Sequence, residues 1–436
     1  MNSHEFSYVL FLSKGPLTHS NDKSTRLDGE KEMFRAIILM AVISTGMVWI
    51  ATAQESSPVS NPSTTILPGA RIEINAATFP SIQAAFDAIP PEGGVVRIPP
   101  GTFEISQPLI LSRSDVLIQG AGAATHIKNM NMEGQPALVV KHPDGEQVKS
   151  ADQLWRVMLS QFRITGQEKS GNGIEAIFVN EIFLQGLTVS YHGGDGIKLD
   201  RCYEDARVNA CLMTYNKQTG LNLPGCHDIV VSANQFEENR DALHCFDAFN
   251  LCMTGNCVDD HLGDGVVIEN TYGSVVSGNM IEECDGRAIV LARDCYGITL
   301  SSNVIAHNGG GIDLIDAHGC AVSANTFPLL KMPPKAKDGT QPSQLETRCL
   351  RIGKDSSRIT VSGNSFSDSY IGEGAVQRKL NDQLAGGIVL EGTRDVNING
   401  NTFSSVPKAV ETRGAASENV QFSDNLLIDA PSDLAP

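Results

Sequence analysis

A step of two small residues, an asparagine, any residue and an apolar residue recurs through the chain. It constrains the fold more than any other feature. It stands at Ser232-Ala233-Asn234-Gln235-Phe236, Thr254-Gly255-Asn256-Cys257-Val258, Ser277-Gly278-Asn279-Met280-Ile281, Ser301-Ser302-Asn303-Val304-Ile305 and Ser323-Ala324-Asn325-Thr326-Phe327. The asparagines are spaced by 22, 23, 24 and 22 residues. A period of this length marks a stack of units too small to bury a core alone.

Between the asparagine steps lie Gly-apolar-x-apolar runs such as Gly196-Ile197-Lys198-Leu199, Gly265-Val266-Val267-Ile268 and Gly311-Ile312-Asp313-Leu314. Alternation with a period of two is the pattern of a half-buried strand. A further short strand precedes the asparagine, as in Asp228-Ile229-Val230-Val231-Ser232. Each repeat therefore carries about three short strands separated by Gly, Asn and Asp turns. No sustained helical period occurs between residues 171 and 431. A leucine-rich repeat, the competing solenoid of this period, needs a Leu-x-x-Leu-x-Leu run that this chain lacks.

The expected fold is all-β, a parallel β-helix whose coils stack identical positions about 4.8 Å apart. The asparagine is expected to tolerate the left-handed backbone of a sharp corner and to bond amide to amide along the stack. A second column follows five residues later at Asn216, Asn239, His261, Cys284 and Asn308, with His192 one coil further back. The coils then run from at least residue 171 to about 428.

Residues Met33–Ala53 read as a secretory signal, with Arg35 as the charged start, an apolar stretch from Ala36 to Ile50 and Ala51-Thr52-Ala53 as the cleavage site. The apolar stretch is short for a membrane span. Residues 1–32 are then an upstream extension, 54–68 a flexible lead-in and 69–431 the β-helix domain. The mature protein is expected to be secreted or periplasmic.

All ten cysteines lie between Cys202 and Cys349. An even count in an exported chain invites a disulfide reading. Their positions in the repeat favour buried, stacked thiols instead, with Cys202 and Cys226 the one candidate pair. No Cys-x-x-Cys metal pattern occurs. A net charge of −17 disfavours nucleic acid as a partner. It suits neutral glycans, or acidic glycans bridged by Ca²⁺.

The segment Phe79-Pro80-Ser81-Ile82-Gln83-Ala84-Ala85-Phe86-Asp87-Ala88-Ile89-Pro90 predicts a short amphipathic helix with Ile82, Ala85, Phe86 and Ile89 on one face. Gly93-Gly94-Val95-Val96-Arg97-Ile98-Pro99-Pro100-Gly101-Thr102-Phe103 follows it, then Val116-Leu117-Ile118-Gln119-Gly120-Ala121-Gly122. This opening resembles that of the pectate-lyase-like superfamily of right-handed β-helices. The resemblance covers roughly residues 78–122 closely and the remainder as generic coils. It implies a right-handed solenoid, a helix capping its open N-terminal end, and a carbohydrate-active protein. Lyases, hydrolases, C5-epimerases and phage depolymerases share that opening.

The active-site words of better-known members are missing. There is no Asp-Pro-His-Asp of mannuronan C5-epimerases, His142-Pro143-Asp144-Gly145 being an echo only. The Asn-Thr-Asp and Gly-His-Gly of polygalacturonases are absent too. Site residues are therefore read from position.

In each Gly-apolar-x-apolar run the x residue points outward. Up the stack these are Glu175, Lys198, Asn222, His244, Val267, Val290, Asp313, Arg351 and Val389, with Asp200 on the same face. Such a column is a floor for a sugar chain or a plain solvated face. Just before the strands stands an acidic column of Asp195, Asp241 and Asp264, with Thr219 and Arg287 interleaved. Asp241 and Asp264 in adjacent coils would suit a glycosidase or a Ca²⁺ site, or serve as turn residues. Insertions around Leu329–Arg348 and Ser369–Ala385 bring Lys331, Lys335, Lys337, Arg378 and Lys379 beside the same strand.

The leading expectation is an exported lyase or C5-epimerase acting on a uronate-containing polysaccharide. Removal of the C5 proton needs a base and a counter-charge for the uronate carboxylate. His244 or Lys198 would be the base, Lys198, Arg287, Arg351 or Ca²⁺ the counter-charge, and Tyr191 or His192 the acid for the leaving oxygen. Glu175, Asp200, Asn222, Asp313 and Arg351 would hold substrate. Two alternatives stand beside it. One is a glycoside hydrolase using Asp241 and Asp264, or Asp313. The other is a non-catalytic glycan-binding protein, favoured by the outward Val267 and Val290.

Overall fold

Every strand pair runs parallel, and each strand pairs with its equivalent one repeat away, as in Ile229–Leu251 and Phe236–Val258. The computed structural model describes residues 67–328, 348–367 and 386–435. The expected signal, most of the lead-in and both insertions lie outside these, with Lys331, Lys335, Lys337, Arg378 and Lys379.

Among the described residues three parallel sheets of 16, 12 and 13 strands form the walls. The Gly-apolar-x-apolar runs build the 12-stranded sheet, the strands before the asparagines the 16-stranded sheet, and those after them the 13-stranded sheet. Strands run from Ile72–Asn75 to Leu426–Ile428. Among the described residues no helix is long and apolar enough to cross a membrane.

The expected helix forms over Ile82–Asp87 and buries Ile82, Ala85 and Phe86, with the Ser81 side chain accepting from the Ala84 N–H at its start. Ser81 satisfies an amide that has no partner within the helix.

Alternation sends one side of each strand inward, so the interior is a set of apolar files. Phe327, Phe366 and Phe403 stack with ring centroids 4.8 Å apart. Burying each such side chain stabilises the coil by about 1.5–3 kcal/mol. The glycine that opens each Gly-apolar-x-apolar strand of the 12-stranded sheet is a matter of space. A Cβ on Gly311 would lie 2.0 Å from the Cys349 carbonyl oxygen of the next coil.

The asparagine ladder exists, but its corner works differently from the expectation. The left-handed residue is the one before the asparagine, Ala233 with φ 55°, Ser302 with φ 57° and Gly278 with φ 68°. The asparagines themselves are free for hydrogen bonding. Asn279 Oδ1 accepts from the N–H of Asn256 at 3.0 Å and from its Nδ2 at 2.9 Å. Asn279 Nδ2 donates in turn to Asn303 Oδ1 at 3.0 Å and to the Met253 carbonyl at 3.2 Å. Left-handed backbone costs about 1–2 kcal/mol in a non-glycine residue, yet large side chains also take it before the second column, as at Tyr215 with φ 57° and Glu238 with φ 48°. The buried Asn saturates the corner's amides.

None of the ten cysteines forms a disulfide. Cys202 and Cys226, the candidate pair, instead lie against carbonyl oxygens of Ala176 and Leu199. Eight thiols are buried as expected, whereas Cys252 is exposed and Cys257 part-exposed, because both occupy outward positions of their strands.

Candidate functional site

The outward file of the 12-stranded sheet is in register at each step from Glu175 to Val389. The alignment read from the sequence is the observed one. Two of its valines are not exposed, however. Val290 is 2% and Val389 1% accessible, so the floor is not interrupted by bare apolar surface there. Arg287, on the strand of Val290, reaches Asp313, the register partner of Val290, and so passes along its flank.

Three of the expected residues, Asp241, His244 and Asp264, line one cavity of about 410 Å³ with Arg240, Leu262, Gly263, Val267 and Glu269. His244 Nε2 lies 3.0 Å from Glu269 Oε2. Glu269 is braced from behind by Arg293 at 3.4 Å, which also reaches Asp247 at 3.3 Å. A carboxylate only accepts, so the ring nitrogen facing Glu269 carries the proton and Nδ1 of the neutral imidazole is left with its lone pair.

The acidic column is a backbone ladder. Asp195, Asp241 and Asp264 each use Oδ1 to accept the N–H of Thr219, Asp264 and Arg287 one coil on, at 3.0, 2.8 and 2.6 Å. Asp241 Oδ2 also accepts from Arg240 Nη2 at 2.7 Å, and Asp264 Oδ2 from Arg287 Nη2 at 2.8 Å. The two carboxylates therefore do not face each other as a bare pair. Two groups of described residues bring three metal-ligand atoms within 4.8 Å, namely Asp294, Asp316 and His318, and Asp259, Asp260 and Glu283. Neither includes Asp241 or Asp264. Burial and the neighbouring Asp260 carboxylate push the Asp259 pKa up to about 6.

The expected cations are already engaged. An ion-pair chain climbs the sheet from Asp264 to Arg287 at 2.8 Å, Asp313 at 3.3 Å, Arg351 at 2.8 Å and Glu391 at 2.6 Å. Burial opposes the charge on Arg287, but Asp264 and Asp313 outweigh it and raise its pKa. Glu391, with Asp313, likewise holds Arg351 well above the ordinary guanidinium value.

Lys198 sits two coils below His244, 3.4 Å from Glu175 and 3.3 Å from Asp200. Burial alone would depress its pKa, yet the two carboxylates prevail and raise it. The two carboxylates favour its ammonium form, which fits the expected counter-charge role better than that of the base. Asn222 donates to Asp195 at 2.8 Å. Tyr191 is 55% exposed, stacks on Tyr215 with centroids 5.0 Å apart, and does not line the cavity. His192 is fully buried, which removes it from contact with a sugar.

Sequence reasoning missed Arg240 and Glu269. Glu269 lies two residues beyond Val267 on the same strand and so faces outward, the relation that had selected Asp200 beside Lys198. Arg240 precedes the strand in a corner whose side-chain direction no periodicity predicts. Its side chain is 55% exposed and reaches Gln218 Oε1 at 3.0 Å besides Asp241.

Residues 172–327 match the family model of the right handed beta helix region. No curated protein sequence matches the chain at a significant level. Solved structures with similar coils include the mannuronan C-5 epimerase AlgE6 A-module of Azotobacter vinelandii, at 14% identity and a TM-score of 0.51, covering 83% of this chain and 100% of that one. The ORF18 protein of Geobacillus virus E2 aligns at 16% identity and a TM-score of 0.52, over 69% of this chain and 62% of that one. Tailspike protein 3 of bacteriophage CBA120 aligns at 11% identity and a TM-score of 0.51, over 83% and 62% respectively. This chain thus spans less than two thirds of the two phage proteins. At such identities the likeness speaks to the fold, and with the match over residues 172–327 it gives one conclusion: the chain is a right-handed parallel β-helix protein.

Proposed function

We propose that the chain is a polysaccharide-active enzyme that removes the C5 proton of a uronate residue bound at the His244 cavity, as a lyase or a C5-epimerase. The observation that carries this reading is the His244–Glu269 pair inside a cavity that also holds the exposed Arg240. Nδ1 of His244 takes the C5 proton, and the electron pair of the broken C5–H bond delocalises into the uronate carboxylate. Arg240, in the same cavity and paired with Asp241, offsets part of that developing charge once it turns from Asp241 to the substrate, and Glu269 steadies the imidazolium. In a lyase the C4–O bond then breaks, giving a C4–C5 double bond, and the departing oxygen takes a proton from the His244 imidazolium or from water. In an epimerase water protonates C5 from the other face and His244 releases its proton to solvent.

The alternative of a hydrolase acting through Asp241 and Asp264 is weaker, because both carboxylates are occupied by backbone N–H groups and by Arg240 or Arg287. The similarity to the A-module named a mannuronan C-5 epimerase and to a phage tailspike protein supports a carbohydrate-active role at the level of architecture, and the choice of C5 chemistry rests on the His244 cavity.

The test is incubation of the purified chain with alginate, pectate and neutral glycans in heavy water. The expected outcome is deuterium at C5 if the enzyme is an epimerase, or near-UV absorbance from unsaturated ends if it is a lyase, either one abolished by His244→Ala. New reducing ends without deuterium or unsaturation would overturn the proposal in favour of hydrolysis.

A further inference from the structure

The solenoid segregates its charge by face. On the 16-stranded sheet one outward file runs in register through Val230, Cys252, Val275, Thr299, Ala321 and Thr360, and a second from Ser232 to Ser362 consists of Ser and Thr hydroxyls. The corner residues from Ala233 to Gly363 continue this surface. So does the first outward file of the 13-stranded sheet, from Gln235 to Ser365. Across six coils these four files hold no Asp, Glu, Lys or Arg, although 19% of the chain is charged and its net charge is −17. The change beyond the ridge is abrupt. The next outward file of the 13-stranded sheet is Glu237, Asp259 and Glu282 over three coils and continues as uncharged Ala306, and the 12-stranded sheet carries the ion-pair chain.

The ridge also exposes apolar side chains. Val230 is 38%, Val275 39% and Val304 36% accessible, and Cys252 presents an exposed thiol among them.

We propose that this uncharged ridge is the surface through which two copies of the chain pair. Three arguments select a second copy as its occupant. The first is size. Four files over six coils provide a patch comparable with the roughly 20–30 residues a side of a standard protein interface. The second is charge. Two copies of a strongly acidic protein repel within a Debye length of about 8 Å at physiological salt, so they approach most readily where no carboxylate stands. Interface cores are in general depleted of charged residues. The third is shape. The ridge is the outside of a corner built from small residues, and none of its residues lines the cavity around His244, where a concave site for a small ligand would be looked for. Two such ridges share one repeat of about 4.8 Å, so the files of one copy match the furrows of the other. Their Ser and Thr hydroxyls, donors and acceptors at once, satisfy each other across the contact.

The experiment is sedimentation equilibrium of the full chain across the micromolar range, at low and high ionic strength. A monomer–dimer equilibrium that strengthens with salt is expected, because salt screens the overall repulsion while the uncharged contact is unaffected. Alkylation of Cys252 should slow as protein concentration rises. The double variant Val275→Glu, Thr299→Glu should weaken the dimer by about tenfold or more with unchanged circular dichroism. A monomer at every concentration would overturn the proposal. So would a dimer that tolerates both glutamates and leaves Cys252 equally reactive. Neutral-glycan binding by a monomer, lost in the double variant, would assign the ridge to a glycan instead.

Discussion

His244 and Glu269 stand in adjacent coils with Nε2 and Oε2 3.0 Å apart, and this contact decides which ring nitrogen is available to a substrate. Glu269→Gln should keep the strand and lose the negative charge that steadies the protonated ring. We expect kcat on a responsive uronate glycan to fall about tenfold to a hundredfold with little change in KM, and His244→Ala to cost about 10²–10⁴-fold. Steady-state kinetics with circular dichroism as a folding control checks this. Equal activity in both variants would remove the pair from the chemistry.

His192 supplies a pH dependence of stability. Burial pulls its pKa down to about 4, the Ile164 backbone acting weakly in the other direction. Above the unfolded value of about 6.5 the ring is neutral in both states. As the pH falls from about 6.5 to about 4 the unfolded chain takes up a proton that the folded chain does not, so stability is lost, by about 3 kcal/mol at most. His192→Asn, which places the residue of Asn216 and Asn239 in the same column, should flatten that part of the profile. Urea denaturation at neutral pH and near pH 4.5 measures the difference. An identical slope in wild type and variant would discount His192.

The asparagine ladder predicts a cost that packing alone would not. Asn279→Ala removes the acceptor for two donors of Asn256 and the donor to Met253 and Asn303. Unsatisfied buried groups should lower stability by about 2–4 kcal/mol. Thermal unfolding should show the loss, and Ser277→Ala nearby, on the outer file, should leave the midpoint nearly unchanged.

The thiols should separate into classes. Burial pushes the Cys202 and Cys245 pKa values up to about 12 and that of Cys211 to about 11, so neither thiolate nor reagent is present at these sites. At low protein concentration a disulfide reagent should modify Cys252 quickly, Cys257 more slowly and the eight buried cysteines only after unfolding. Immediate reaction of several thiols in the native protein would contradict the packing.

Much of the solenoid was legible because a repeat must satisfy the same constraints in each coil. The Asn234 to Asn325 spacing, the alternation around Lys198 and His244, and the Ser81-led helix each expressed a local rule, and the register followed from their alignment. The corner was misread in one respect. Asn and a small residue are adjacent at Ala233-Asn234, and composition alone does not say which of them bends backwards and which bonds to the next coil.

The site was legible only as a column. Alternation placed Lys198, His244, Asp313 and Arg351 on one outer face. It did not tell which of them would be neutralised by neighbours. Lys198 between Glu175 and Asp200, or Arg351 between Asp313 and Glu391, acquires its partners from other coils and from distances that a period does not encode. What the sequence determined by itself was the coil, since a short repeat of apolar, small and Asn positions has one way to bury its apolar faces and saturate its corners. What the tertiary structure alone decided was the chemistry. The cavity around His244, the Glu269 carboxylate behind its ring and the uncharged ridge on another face arise from side chains that stacking brings together, twenty or more residues apart in the chain.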